Sequence, residues 1–231
     1  MKKDLNKWIW YILSIVFTAI PYIARLFGEH TDDYIYGEKG IIENLTVVLL
    51  IVAIIYCLKI LLGREKIVFK GLQIWIIIFL LGSIYYAGEE MSWGQHFAGW
   101  STPENWAEFN DQAETNLHNT SAIFDQIPRA LLTIAAVVGG ILIPIYRKIT
   151  KHVPSSKSFY DWLLPTYVCL PVALLSVFVS LFEKVYKLFG EVPSALDIRS
   201  GETKELLLAM FMMIYVLSFW CRHKSVNATS A

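Results

Sequence analysis

The residues best suited to chemistry sit in two short stretches, Glu89-Glu90-Met91-Ser92-Trp93-Gly94-Gln95-His96 and Glu114-Thr115-Asn116-Leu117-His118-Asn119. Imidazole nitrogens and carboxylate oxygens together suit Zn, Mn or Fe. Glu89, Glu114 and His118 are therefore the candidate ligands of a divalent metal. A metal held there would acidify a bound water or polarise a phosphoryl or carbonyl oxygen. Glu90 and Gln95 belong to the same stretch, and Glu43 lies just inside another apolar run, Ile41-Ile42-Glu43-Asn44-Leu45. A carboxylate inside a membrane is costly and is usually paired or functional. Glu43, Glu90 and Gln95 are accordingly the catalytic candidates, with a carboxylate as general base. Ser92, Trp93, Asn116 and Asn119 carry groups that could orient the others by hydrogen bonding. A plainer reading stands beside this one. Glu114 and His118 would form an i, i+4 helix pair, Glu89 and Glu90 would anchor a helix end at the headgroups, and the asparagines would close a helix.

Positioning these groups needs helices. Ser101-Thr102-Pro103-Glu104 is a helix-start signal, with either Ser101 or Thr102 as N-cap. A helix from there to about Asn119 would stack Asn110, Glu114 and His118 on one face at i, i+4, i+8. Trp93, Phe97, Trp100, Trp106 and Phe109 crowd this segment. Aromatic residues at that density predict a structure lying in the membrane interface. Glu89 and Glu90 end an apolar helix, where neighbours point about 100° apart, so only one can face the interior.

The frame around these elements is apolar. Of 231 residues, 55% are hydrophobic and 17% charged, and the mean hydropathy is +0.48. Soluble domains carry about a quarter charged residues, so an ordinary water-soluble globule is excluded. Disorder is excluded by the hydrophobicity. The balance of 20 bases against 20 acids argues against nucleic-acid binding. Six stretches approach the ~20 apolar residues of a membrane span: 8–27, 41–62, 72–90, 129–146, 161–183 and 204–221. The first is too long for a signal-peptide core and is read as a retained helix. The fold class is therefore all-α, a single polytopic membrane domain over 1–231. It has six transmembrane helices and an extra interfacial helix in the segment 91–128, between helices 3 and 4. Pro165 and Pro171 are expected to kink the fifth span, and Gly139-Gly140 to admit a close helix neighbour. Cys57, Cys169 and Cys221 read as small core hydrophobes. Met210, Met212 and Met213 read as lipid-facing or core filling, and His152 and His223 as solvated.

Six spans put both termini on one side. That side collects 13 bases and 3 acids, a net of +10, and the other side 7 bases and 17 acids, a net of −10. Basic loops stay in the cytoplasm, so both termini are expected there.

The runs Glu89-Glu90-Met91-Ser92-Trp93-Gly94-Gln95, Thr102-Pro103-Glu104 and Glu114-Thr115-Asn116-Leu117-His118-Asn119 resemble a family of bacterial multi-pass membrane proteins with an EE-x-SWGQ … TPE … E-x-NLHN pattern. Gly37-Glu38-Lys39-Gly40-Ile41-Ile42-Glu43-Asn44-Leu45-Thr46 looks like that family's lead into its second helix. The resemblance implies the bacterial cytoplasmic (inner) membrane and carries no activity with it. A weaker resemblance links Ser92-xxx-His96 to the zinc hydrolases of the alkaline ceramidase and progestin-receptor-like families. Six spans instead of seven, and no His-xxx-His on the last helix, set the chain apart from them.

Three functions follow. The favoured one is a metal-assisted hydrolase or transferase acting on a lipid or lipid-linked substrate, with membrane lipids as partners. The second is a proton- or cation-coupled transporter or channel, which oligomerisation could complete. The third is a non-catalytic membrane subunit.

Overall fold

The computed structural model describes residues 4–28, 32–37, 40–63, 67–107, 114–117, 120–190 and 197–227. Apolar runs become helices in chain order: α1 (Lys7–Arg25), α2 (Asp32–Tyr36), α3 (Ile41–Leu62), α4 (Lys70–Glu90), α5 (Gln95–Ala98) and α6 (Glu104–Ala107). They continue with α7 (Ala122–Ile134), α8 (Ile143–Ile149), α9 (Phe159–Leu163), α10 (Leu170–Phe189) and α11 (Ser200–Asn227). Among the described residues there is no strand. Side-chain caps fix several starts. Asn6 accepts from the Trp8 amide at 3.1 Å, and Ser121 accepts from the Ile123 amide at 3.3 Å.

Among the described residues, six helical spans are long and apolar enough to cross a membrane. The expected limits agree closely with α1, α3 and α4. The fourth span is longer than 129–146, because α7 and α8 are joined through a π-helical turn, Ala135–Leu142. The sixth also extends beyond 204–221, as α11.

α11 is the post of the bundle. Every residue from Leu206 to Leu217 is buried, as befits a helix that is apolar all round. α3 and α10 pack along it, α4 packs on α3, and α1 leans on α10 and α11. Met210, Met212 and Met213 are thus core filling. Cys57 and Cys169 are buried too, whereas Cys221 is partly exposed. Ile12, Ile15, Leu81, Leu131 and Phe178 lie exposed on the outside.

Prolines and glycines shape the contacts. A Cβ on Gly140 would stand 2.6 Å from the Ala173 Cβ and 2.7 Å from Phe211, so the π-turn approaches α10 and α11 closely. The fifth span is broken at Leu164-Pro165-Thr166, between α9 and a 3-10 turn, Tyr167–Cys169. Pro165 marks that break. Pro171 does not kink the span; it occupies the first turn of α10, where a missing N–H costs nothing.

Asp161 closes the basic end. Its Oδ1 accepts from Arg147 Nη2 at 2.7 Å and sits 2.7 Å from His152 Nε2, while its Oδ2 accepts from the Ser155 amide at 3.0 Å. Arg222 Nη1 donates to the Asp161 carbonyl at 2.7 Å. His152 is exposed, as expected, with Nε2 resting on Asp161. The solvated reading of His223 is corrected: it is buried against the Trp162 and Phe219 rings.

The expected run of one helix from Ser101 or Thr102 to about Asn119 is also corrected. Helix is present over Glu104–Ala107, but Glu114–Leu117 is not helical, so no helix carries Glu114 into register with its neighbours. Asn110 and His118 lie outside the described residues.

Candidate functional site

The chain leaves α4 through an unusual turn. Ser92, Trp93 and Gly94 all have positive φ, at 44°, 53° and 96°. Left-handed backbone is free for glycine but costs about 1–3 kcal/mol at other residues unless the surroundings hold it. Here hydrogen bonds and packing do so. The turn throws the Trp93 ring back over α4, where a Cβ on Gly88 would come within 2.9 Å of it.

Glu89 joins this turn to the following segment. Its Oε1 accepts from Trp93 Nε1 at 2.7 Å, and its Oε2 accepts from the Leu117 amide at 2.7 Å. Glu114 Oε2 accepts from Ser92 Oγ at 2.9 Å and also from Asn116 Nδ2. Gln95 Oε1 accepts from the Thr115 amide at 2.6 Å, and its Nε2 donates to Thr102 Oγ1 at 2.9 Å. Trp100 Nε1 donates to Thr115 Oγ1 at 3.0 Å. Glu89, Ser92, Trp93, Gln95, Thr102, Glu114 and Asn116 thus form one hydrogen-bonded clamp. It pins residues 114–117 against the end of α4.

Glu90 does different work. It makes no hydrogen bond among the described residues and faces a cavity of about 1150 Å³. The cavity lies between α4, α11 and the α7–α8 span. α4 reaches across to α11 with aromatic side chains, Trp75 Nε1 donating to the Tyr215 hydroxyl at 2.7 Å and Tyr86 Oη to the Glu205 carbonyl at 3.1 Å. At its acidic end Glu90 interacts electrostatically with Glu205, Glu202, Glu43 and Arg129. Arg129 is ion-paired with Glu205. Arg199 lies near the same end, its guanidinium 5.7 Å from the Tyr36 ring. Towards the basic end the lining is apolar and includes Phe79, Leu132, Val138, Pro165 and Phe211.

The expected site residues therefore divide. Glu43 and Glu90 meet at the cavity. Glu89 and Glu114 also border it, but their carboxylates are engaged in the clamp with Ser92, Trp93, Gln95 and Asn116. His118 and Asn119 lie outside the described residues, as does the side chain of His96. Among the described residues no group of three or more His, Cys, Asp or Glu could hold a metal ion. Glu202, Glu205 and Arg129 were not among the expected site residues. Their signal was present: Glu202 and Glu205 are spaced i, i+3 at the start of the last apolar helix.

A carboxylate among other carboxylates, with an arginine at the edge, can accept or deliver a proton. The arginine can stabilise an oxyanion or phosphoryl oxygen. Comparison with known families, curated proteins and solved structures finds no significant match to this chain.

Proposed function

We propose that this protein is an integral membrane hydrolase or transferase that admits a lipid or lipid-linked molecule into the cavity. The observation that carries the reading is the cavity's polarity. It has an acidic end, formed by Glu43, Glu90, Glu202 and Glu205 with Arg129, over a long apolar wall. Ligand pockets of ordinary size hold about 300–1,000 Å³, and this one has room for hydrocarbon chain as well as headgroup. Glu90 is the general acid–base group, Glu43 stands beside it, and Arg129 stabilises charge developing on oxygen. No step of this reading depends on a metal. The basic end faces the cytoplasm and the acidic end the opposite side.

The test is lipid turnover. Protein reconstituted in liposomes of total bacterial lipid is incubated and the lipids are followed by mass spectrometry. The reading predicts that one lipid class is consumed by the wild type and not by Glu90→Gln. Unchanged lipids with both proteins, together with proton or cation flux across the liposomes, would instead establish the transporter reading.

A further inference from the structure

We infer that the substrate is a lipid glycoside, a neutral sugar head on an alkyl tail, and that the cavity hydrolyses its glycosidic bond with Glu90 and Glu205. This rests on the cavity being a lipid reaction site, and three observations narrow the chemistry. The first is how the two carboxyls are held. Glu205 is ion-paired with Arg129, whereas Glu90 has neither ion pair nor hydrogen bond among the described residues. The two interact electrostatically. Tyr86 sits one turn before Glu90 on α4, and its hydroxyl donates to the Glu205 carbonyl at 3.1 Å, which ties that turn of α11 to the end of α4. Carboxyls that share a site do not both ionise, and Arg129 decides between them: Glu205 carries the charge and Glu90 the proton. A proton donor facing an ionised carboxylate is the pair that glycoside hydrolysis needs.

The second is the sign of charge the site favours. Breaking a glycoside develops positive charge at the anomeric carbon, which the Glu205 carboxylate stabilises. An ester or amide builds negative charge on its carbonyl oxygen instead, and Glu205 would oppose it. A sugar head adds no charge of its own. Carboxylate oxygens accept more than one bond, so Glu43 and Glu202 can take sugar hydroxyls while keeping their present interactions.

Depth is the third. Lining residues run from Trp75 to Glu90 on α4. At ~1.5 Å rise per residue that side is about 20 Å long, more than the ~15 Å hydrocarbon depth of one leaflet. The alkyl tail lies along Phe79, Leu132, Val138 and Phe211, with the glycosidic oxygen at Glu90.

Glu90 gives its proton to that oxygen as the bond from it to the anomeric carbon breaks, releasing the lipid alcohol. Arg129, which has N–H groups beyond those on Glu205, stabilises the leaving oxygen until the proton arrives. A water forms the new bond to the anomeric carbon and gives a proton to Glu205, leaving a free reducing sugar. The proton returns from Glu205 to Glu90 through solvent.

The test sorts products by class. Full-length protein is reconstituted in liposomes of total bacterial lipid carrying hexadecyl α- and β-glycosides of glucose, galactose and N-acetylglucosamine. Products are separated by mass spectrometry into reducing sugar, fatty acid and phosphomonoester. The wild type is expected to release reducing sugar, a readout that needs no variant. Glu90→Gln is expected to slow the hexadecyl glycosides by about a hundredfold or more. It should spare dinitrophenyl glycosides bearing a hexadecyl chain on the ring, whose leaving group needs no proton. Glu205→Gln is expected to slow both probes, with thermal melts confirming that the variants fold. Fatty acid or phosphomonoester in place of sugar would overturn the glycoside assignment while leaving a lipid hydrolase in place. Equal loss of both probes in folded Glu90→Gln would overturn its role as proton donor, and full activity of folded Glu205→Gln would overturn the pair. Absence of every product from the wild type would remove the hydrolase reading itself.

Discussion

Glu89 accepts hydrogen bonds from Trp93 and Leu117, whereas Glu90, about 100° further round the same helix, accepts none among the described residues and faces the cavity. Residue type alone made both of them candidates, and their adjacency already required them to point apart. Sequence could not say which faced inward, because that depends on where α11 and residues 114–117 pack. Residue type likewise made Glu114 and Gln95 ligand and catalytic candidates, and both hold residues 114–117 against the end of α4. A carboxylate or amide that holds a loop is the same residue type as one that binds a metal. Their roles now predict different phenotypes. Glu114→Ala removes the acceptor of the buried Ser92 hydroxyl and one acceptor of Asn116, and should lower stability by about 1–3 kcal/mol, read as a reduced thermal midpoint. Gly88→Ala drives a methyl into the Trp93 ring and should cost about 1–3 kcal/mol, with a shift in tryptophan emission as that ring is displaced.

Helices were legible as elements and less so as contacts. Twenty apolar residues announce a span, so the limits of α1, α3 and α4 follow directly. The break in the fifth span was signalled by Pro165, but Pro171 gave the same signal and merely begins α10. Pro165 lacks the N–H that would bond the Asp161 carbonyl four residues back, and that carbonyl accepts from Arg222 Nη1 instead, at 2.7 Å. The helix expected to reach Asn119 starts soundly at Glu104, but the clamp holds 114–117 out of helical geometry. Two glycines test the packing of these elements. Gly140→Ala should destabilise by about 1–3 kcal/mol, since its methyl meets Ala173 and Phe211. Gly82 lines the cavity, and a Cβ there would meet nothing within 4 Å, so it should tolerate alanine. Gly82→Phe should block lipid turnover without lowering the melting temperature. At the basic end, Asp161→Ala strands buried Arg147 and should cost about 3–5 kcal/mol, the largest loss among these variants in a denaturation series.

For the whole molecule, zero net charge conceals an acidic end and a basic end, a division that depends on the six-span count. That count agrees with the six sufficiently long apolar helical spans among the described residues. Apolarity could not reveal that α11 is the central post, because lipid and protein interior favour the same residues. The cavity was likewise invisible, since it forms between spans far apart in sequence and only Glu202 and Glu205 hinted at it. The topology predicts that reporters fused to either terminus are both active in the cytoplasm, and that a reporter placed at residue 99 is active on the opposite side.

The most direct test of an acid-headed reaction cavity uses the two adjacent carboxylates. Lipid turnover per folded protein is measured for wild type, Glu89→Gln and Glu90→Gln in the same liposomes, with thermal midpoints alongside. The expected result is that Glu90→Gln abolishes turnover at an unchanged midpoint, whereas Glu89→Gln lowers the midpoint and retains turnover. Full turnover by Glu90→Gln would contradict the assignment of the chemistry to this cavity.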